Sequence, residues 1–416
     1  MTSKYFSLRK NLTPFLWRLT QVLFKQGTTA IMFFIATYFL TKQDMGVYAY
    51  VSSMLLLLAL FTDFGISTST SRYVALYNSE DKEKVKRIFF NVSLVILVAT
   101  VVVLVIFIFL KDILSVQYPD YLLLTLPMIF IYPMTSLMDG IYRGLKEFKK
   151  LALFTILNSV VGIGGAYLLV TNFGLNGTVV APLLYFSSYL IILLIAYRGY
   201  QFVLDRKIVK DVTTYAMYFG IAALGHYLFS KMNVLILGSQ NLLEEVAVYE
   251  LLNKINTELL LPFIVLGQIL APNIVEDFSK KRFENIQKQF RKNLVLTLLA
   301  AIIFLPLSIL ITSVAVNLFF PIYSGEILQS LLLPVALTFS TAVPVVVINT
   351  GMITSTGHGK LMAIQNIITG IVNVLLNLFI IKSHGYIAVV WVTFAVQLIS
   401  NTILYLIYSS KLKKLT

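Results

Sequence analysis

Residues 88–110 read IFFNVSLVILVATVVVLVIFIFL, with no Asp, Glu, Lys or Arg from Ile88 to Leu110. A helix spanning a bilayer needs about 20 largely apolar residues to cross a hydrocarbon core ~30 Å thick, and this stretch supplies them without interruption. The rest of the 416-residue chain has the same character: 58% of it is hydrophobic, 12% is charged, and the mean hydropathy is +0.84. Soluble proteins carry roughly 45–50% apolar and about 25% charged residues. Length alone suggests two or three soluble domains, but so few charges cannot cover a soluble fold of this size. Intrinsic disorder is excluded because a disordered chain is poor in apolar residues. The fold class expected is an all-α integral membrane protein.

Counting outward from residues 88–110, twelve spans are expected, near 19–40, 46–68, 88–110, 121–140, 151–171, 177–197, 212–238, 246–270, 294–320, 327–353, 361–381 and 385–408. Leu151 to Tyr197 also lacks charge and is long enough for two of them, divided where Asn172, Gly174, Asn176 and Gly177 supply the permissive backbone of a tight turn. The start of the chain is not read as a cleavable signal peptide, since the apolar stretch after Lys25 has no small-residue cleavage site.

Lys and Arg number 33 against 19 acidic residues, a formal charge of +14. In a soluble protein such an excess suggests nucleic acid; here it is an orientation signal, because cytoplasmic loops of membrane proteins collect Lys and Arg. With the N-terminus, alternate loops and the C-terminus placed on one side, that side holds Arg72, Lys82 to Arg87, Arg143 to Lys150, Arg198 to Lys210, Lys280 to Lys292, Lys411, Lys413 and Lys414. The exceptions are Lys42, Lys111 and Lys382 outside, and Lys25, Lys231 and Lys254 within spans. Both termini are therefore expected in the cytoplasm. The chain has no Cys, hence no thiolate chemistry. His226, His358 and His384 lie far apart without metal-ligand spacing, so neither a metal nor a cofactor is expected.

The halves echo one another. Gly46-Val47-Tyr48-Ala49 follows the first span, and Ala247-Val248-Tyr249-Glu250 follows the seventh; Lys150-Leu151-Ala152-Leu153 opens the fifth, and Lys360-Leu361-Met362-Ala363 the eleventh. Phe173-Gly174 and His384-Gly385 then close the two spans at nearly equal distance. Two six-helix bundles, residues 1–205 and 206–416, related by an axis along the membrane normal, are expected. A repeat of this kind suits a transporter with a site between lobes near the midplane.

A charge at the centre of a membrane helix costs about 2.5–3.5 kcal/mol on insertion scales, so each requires a reason. Arg18, Gln21, Lys25 and Thr28 or Thr29 recur on one face of the first span. Glu250, Lys254 and Glu258 follow at i,i+4 steps in the eighth, with Asn253, Asn256 and Thr257 beside them. The seventh offers His226, Ser230 and Asn233 on one face, with Lys231 adjacent. Arg18 and Lys25 can snorkel to the interface, and the Glu-Lys-Glu stripe can neutralise itself between helices. Alternatively, these residues line a wet, net-positive cavity that lowers the cost of bringing a phosphate into a low-dielectric space. Asp63 and Asp139 are expected near helix ends. Gly162, Gly164 and Gly165 have no phosphate-loop context and read as close helix packing. Asn91-Val92-Ser93 matches a glycosylation sequon at a cytoplasmic or buried position. The Tyr residues, 23 in all, form mainly an interfacial belt and packing, with some free to stack on sugar rings. No Ser/His/Asp set or Walker motif is present.

Several ordered motifs resemble the polysaccharide-transporter branch of the multidrug/oligosaccharidyl-lipid/polysaccharide (MOP) exporters. They are residues 40–49, Thr62-Asp63-Phe64-Gly65-Ile66, Ser71-Arg72-Tyr73-Val74-Ala75, Tyr142 to Phe148, Ala247-Val248-Tyr249, the region of Pro262 and Pro272, Gly357-His358-Gly359-Lys360 and Asn373-Val374-Leu375-Leu376-Asn377. Within that branch the chain is most similar to the O-antigen type (Wzx-like) flippases. The resemblance implies transfer of an undecaprenyl-diphosphate-linked O-antigen or capsule repeat unit across the bacterial cytoplasmic (inner) membrane, by alternating access around a cationic cavity, with a polysaccharide polymerase and chain-length machinery as partners. Lys25, Lys231, Lys254, Arg18 and Asn233 are the substrate-binding candidates, and Glu250 and Glu258 the candidates for coupling to a proton or sodium ion. Where many relatives place an acidic residue followed by a basic one in the seventh span, this chain has Met232-Asn233, which puts a pairing role there in doubt. A cation-coupled drug antiporter of the same superfamily would need cavity carboxylates, which the first, fifth and tenth spans lack, and a membrane polymerase would be expected to expose a large outer loop. A non-transporting scaffold leaves the intramembrane lysines without a purpose.

Overall fold

A computed structural model describes residues 2–110 and 117–414; Lys111, assigned above to the outer side, lies outside them. The described chain is helical throughout: α1 (Thr2–Phe39), α2 (Lys42–Asp63), α3 (Ile66–Glu80), α4 (Lys82–Leu110), α5 (Pro119–Thr125), α6 (Met128–Gly144), α7 (Phe148–Ala196), α8 (Arg206–Ser230), α9 (Met232–Ser239), α10 (Leu243–Leu259), α11 (Leu261–Ser279), α12 (Phe283–Phe319), α13 (Glu326–Ile348) and α14 (Gly359–Lys413). Among the described residues nine helical segments are long and apolar enough to cross a membrane, and a tenth arises if α8 and α9, bent by 46°, count as one. The surface is inside-out relative to a soluble protein. On α4, Val98 and Phe109 are 62% and 72% exposed, and on α12 both Ile302 and Ile303 are 68% exposed. Apolar patches of that extent call for an apolar solvent.

Two of the segments are hairpins. At ~1.5 Å per residue, α7 with 49 residues and α14 with 55 would each run more than twice the thickness of a bilayer core if straight. Each doubles back at a glycine in the left-handed half of backbone space, Gly174 (φ 53°) and Gly385 (φ 72°), where a side chain would be strained. The arms of α7 are tied by Thr155 Oγ1 to Tyr189 OH (2.9 Å) and Asn158 Nδ2 to the Tyr185 carbonyl (3.1 Å). Those of α14 are tied by Gln365 Nε2 to Ser400 Oγ (2.7 Å) and Thr393 Oγ1 to Asn373 Oδ1 (3.1 Å).

The contacts divide the chain into two compact units: Met1–Leu40 with Tyr50–Ala223, and Thr41–Ala49 with Leu224–Thr416. In the first, α1 packs along α7, and α6 lies against α3, α4 and α7. Its core holds Ile88, Leu137, Met138, Ile141, Leu193 and Val212. Asn91 of the sequon is fully buried there, donating to the Arg87 and Val203 carbonyls. In the second, α13 packs on α10, α11, α12 and α14.

The second, fourth, seventh and eighth spans, expected to be continuous, are broken, the fourth at Leu126 and Pro127 between α5 and α6. Phe64 and Gly65 (φ 30° and 84°) separate α2 from α3. Pro262 near the start of α11 has no N–H with which to continue the ladder of α10. At Lys231 (φ −121°) the chain leaves the helical region with neither Pro nor Gly present, and Asn233 just beyond enters a buried knot of amides. Asn233 Nδ2 donates to Thr393 Oγ1 (2.8 Å) and Tyr249 OH (3.1 Å), while its Oδ1 accepts from Asn377 (2.8 Å) and Asn373 (3.3 Å). Buried amides require such partners, and the bend sets Asn233 within reach of all four.

Candidate functional site

Each unit holds a cluster of charged side chains within its helical bundle. In the first, the structure brings Arg18, Gln21 and Lys25 of α1 to one side of the bundle with Asp139 and Arg143 of α6. Asp139, expected near a helix end, is buried little more than a turn before the end of α6, where Arg143 in the last turn reaches it (Nε to Oδ2, 2.8 Å). Gln21 Nε2 donates to Asp139 Oδ1 (3.1 Å), and Arg18, 4.0 Å from the same oxygen, donates to Gln21 Oε1. Arg143 also donates to the Ser67 hydroxyl and carbonyl of α3. Lys25 stands with its ammonium 5.9 Å from the centroid of Tyr189, a cation–π contact, and makes no ion pair among the described residues. Asp63 is the last residue of α2, and its Oδ1 is buried without a hydrogen-bond partner. Arg18, Lys25 and Arg143 thus face two carboxylates, leaving one positive charge in excess.

In the second unit the stripe on α10 does not neutralise itself as the i,i+4 spacing suggested. Lys254 pairs with Glu258 (3.3 Å), but Glu250 turns to Lys231 at the α8–α9 bend (2.8 Å) and leaves its Oε1 buried without a partner. The local alternative, Lys254, is displaced because the bend points a second ammonium at the same carboxylate.

Beside this pair lies a cavity of about 410 Å³ enclosed by α8, α10, α11, α13 and both arms of α14. Lys231 and His226 are on its wall, with Ser230, Asn253 and Thr257, while Phe229 and Phe339 supply aromatic surface. Among the described residues that line it there is no Asp or Glu. Of the substrate-binding and coupling candidates only Lys231 lines this cavity, joined by His226, Ser230, Asn253 and Thr257 from the polar faces read on the seventh and eighth spans; Asn233 is locked in the amide knot, and Lys254, Glu250 and Glu258 lie off its walls. Four lining amides were missed: Gln365 and Asn366 on the first arm of α14, Gln397 and Asn401 on the second. The signal was present, since Gln365, Thr369, Asn373 and Asn377 recur every fourth residue along an otherwise apolar span. No group of three or more His, Asp or Glu among the described residues is placed to hold a metal ion.

The model of a family described as "Polysaccharide biosynthesis protein" matches residues 12–276, well over half of the chain. The chain belongs to the polysaccharide biosynthesis protein family. Its fold is shared with solved transporters of the MOP superfamily. An inward-facing multidrug resistance MATE family transporter superposes with a TM-score of 0.76 at 14% identity, covering 95% of this chain and 99% of that one. A MOP superfamily transporter from Pyrococcus furiosus, described as having a binding pocket of reverse polarity that suggests a different function, gives 0.62 at 15% identity, covering 96% and 94%. A MATE structure in complex with MaD3S gives 0.59 at 16%, covering 96% and 95%. At such identities the likeness establishes the fold. No curated protein matches the chain.

Proposed function

We propose that this member of the polysaccharide biosynthesis protein family is a flippase. In this reading it carries an undecaprenyl-diphosphate-linked oligosaccharide, an O-antigen or capsule repeat unit, across the bacterial inner membrane by alternating access. The observation that supports it best is the lining of the second unit's cavity, which offers Lys231, His226 and several amides and, among the described residues, no carboxylate, Glu250 standing behind Lys231 as its partner. Such walls suit an anionic, hydroxyl-rich headgroup and repel the organic cations a drug antiporter would carry. Under this reading both arms of each hairpin cross the membrane, giving twelve crossings in lobes 1–205 and 206–416 with both termini cytoplasmic. Polymerase and chain-length machinery would receive the product.

The cationic residues contribute in different states. Lys25, which makes no ion pair among the described residues, is ready to meet a phosphate. Lys231 is latched to Glu250, and Lys254 to Glu258. Glu250 is therefore the coupling carboxylate we assign: a proton or sodium ion on it releases Lys231 to the diphosphate.

Transport by purified protein in liposomes tests the reading. The wild type should move a fluorescent polyprenyl-diphosphate sugar between leaflets and should not move ethidium. Lys25→Gln should slow the lipid about tenfold or more, the worth of a charge-assisted hydrogen bond of ~1.5–3 kcal/mol. Movement of ethidium without the lipid would replace the flippase by the antiporter.

A further inference from the structure

The hydrogen-bond inventory of the second unit's cavity is lopsided. Gln365 Nε2 is spent on Ser400 Oγ (2.7 Å), Thr369 Oγ1 (3.3 Å) and Asn401 Oδ1 (3.4 Å), and its Oε1 is left buried with no partner. Gln397 likewise spends its Nε2, on the Thr338 carbonyl (2.9 Å) and Thr341 Oγ1 (3.0 Å), so its carbonyl oxygen is the atom left to act. Two amides of cavity-lining residues have thus used their donors within the protein and retain acceptors, the one on Gln365 covered in this conformation and brought to the cavity by a turn of its terminal amide. An unpaired buried acceptor costs roughly 1–3 kcal/mol until a donor reaches it.

A diphosphate cannot supply that donor, because ionised phosphate oxygens only accept. A metal ion or an ammonium would meet the Lys231 ammonium, and Glu250, the carboxylate beside it, is already taken up by that ammonium at 2.8 Å. A neutral hydroxyl satisfies every condition. Phe229 and Phe339 complete the match, since a sugar ring has one edge of hydroxyls and faces of C–H groups that pack on aromatic rings. The volume, about 410 Å³, falls within the ~300–1,000 Å³ of small-molecule sites.

We infer that this cavity is a glycan subsite: it takes the first one or two neutral sugar rings of the headgroup, Gln365 and Gln397 accepting from their hydroxyls while the ring faces lie on Phe229 and Phe339. Lys231, on the same wall, faces the diphosphate that the rings adjoin. This rests on the flippase reading and assigns selection of the sugar to residues outside the charged pairs.

The test is equilibrium binding to the full chain in detergent micelles. The probes are farnesyl diphosphate and the same lipid diphosphate carrying glucose, galactose or N-acetylglucosamine. At least one sugar-bearing probe should bind about tenfold tighter than the bare diphosphate, as expected for two added hydrogen bonds. Gln365→Met combined with Gln397→Met, which preserves volume, should abolish that gain and leave the affinity for farnesyl diphosphate unchanged. Gln397→Met alone provides a second variant should the double one fail to fold, and should reduce the gain. Equal affinity for the bare probe and all three sugar-bearing ones, or a gain that survives the substitutions, overturns the subsite. Failure to bind any diphosphate, bare or glycosylated, overturns the flippase reading itself and the subsite with it.

Discussion

Glu250→Leu is expected to destabilise the protein by about 3 kcal/mol, and adding Lys231→Met to restore most of the loss. Breaking a buried ion pair from one side strands a charge in low dielectric at a cost of ~3–5 kcal/mol, whereas replacing both partners with apolar residues of similar size is often neutral. The lower figure applies because the Lys231 side chain keeps 31% of its surface exposed, against 10% for Glu250. Lys231 also ends α8, its N–H bonded to the Tyr227 carbonyl (2.9 Å), and starts α9, its carbonyl accepting from Val234 (3.1 Å). The backbone bend is therefore held independently of the side-chain pair, and the double variant should retain it. Thermal unfolding in detergent of the wild type, both single variants and the double variant measures the coupling. A double variant as unstable as the sum of the singles would show that the pair contributes nothing as a pair.

The largest loss is expected from Gly225→Val. A Cβ at Gly225 would lie 2.5 Å from the Ile367 nitrogen and 2.6 Å from the Asn366 carbonyl carbon, and one at Gly370 would lie 2.6 Å from the Gly225 carbonyl oxygen. Each glycine admits the backbone of the other helix, the close approach that small residues permit inside membranes. The obstructing atoms are backbone, so no rotamer change relieves the clash, and the upper end of the ~1–3 kcal/mol typical of overpacking is the minimum to expect. Folded protein should fall severalfold, and any that survives should bind substrate poorly, because Gly225, Asn366 and Gln365 all line the cavity. Gly164→Ala is the control: nothing stands within 4 Å of its Cβ position, and its melting curve should match the wild type. Normal levels and stability of Gly225→Val would show that α8 and α14 do not meet at this crossing.

Much of the architecture was legible from residue type alone. The uncharged run of α4 named its solvent, the Gly174 turn followed from an uncharged stretch too long for one crossing, and the Gly385 turn from the echo of Phe173-Gly174 in His384-Gly385. The bend at Lys231 was not legible, because the residues there are ordinary helix formers and the force that bends them is tertiary: four partners waiting for the amide of Asn233. The same limit explains Glu250. Sequence spacing proposed Lys254, one turn away, whereas the structure supplies Lys231, nineteen positions earlier and brought near by the fold. Arg143 was read only as a loop charge marking the cytoplasmic side, although it sits one turn from Asp139 and shares it with Gln21 and Arg18. The acceptors of Gln365 and Gln397 belong to opposite arms of a hairpin, and neither position is distinctive until Gly385 brings the arms together.

The hairpins of α7 and α14 bear on how the chain reaches the membrane at all. Each reverses within a few residues, so its tip carries little that prefers water: Asn172 and Asn176 on one, Lys382 and His384 on the other. The two arms can leave the insertion machinery together as one closed wedge, already bonded to one another across Asn158 and Tyr185 or across Gln365 and Ser400. The polar groups of α14 would then enter lipid already partly paired, and its share of the cavity wall would be assembled as the two arms are released together.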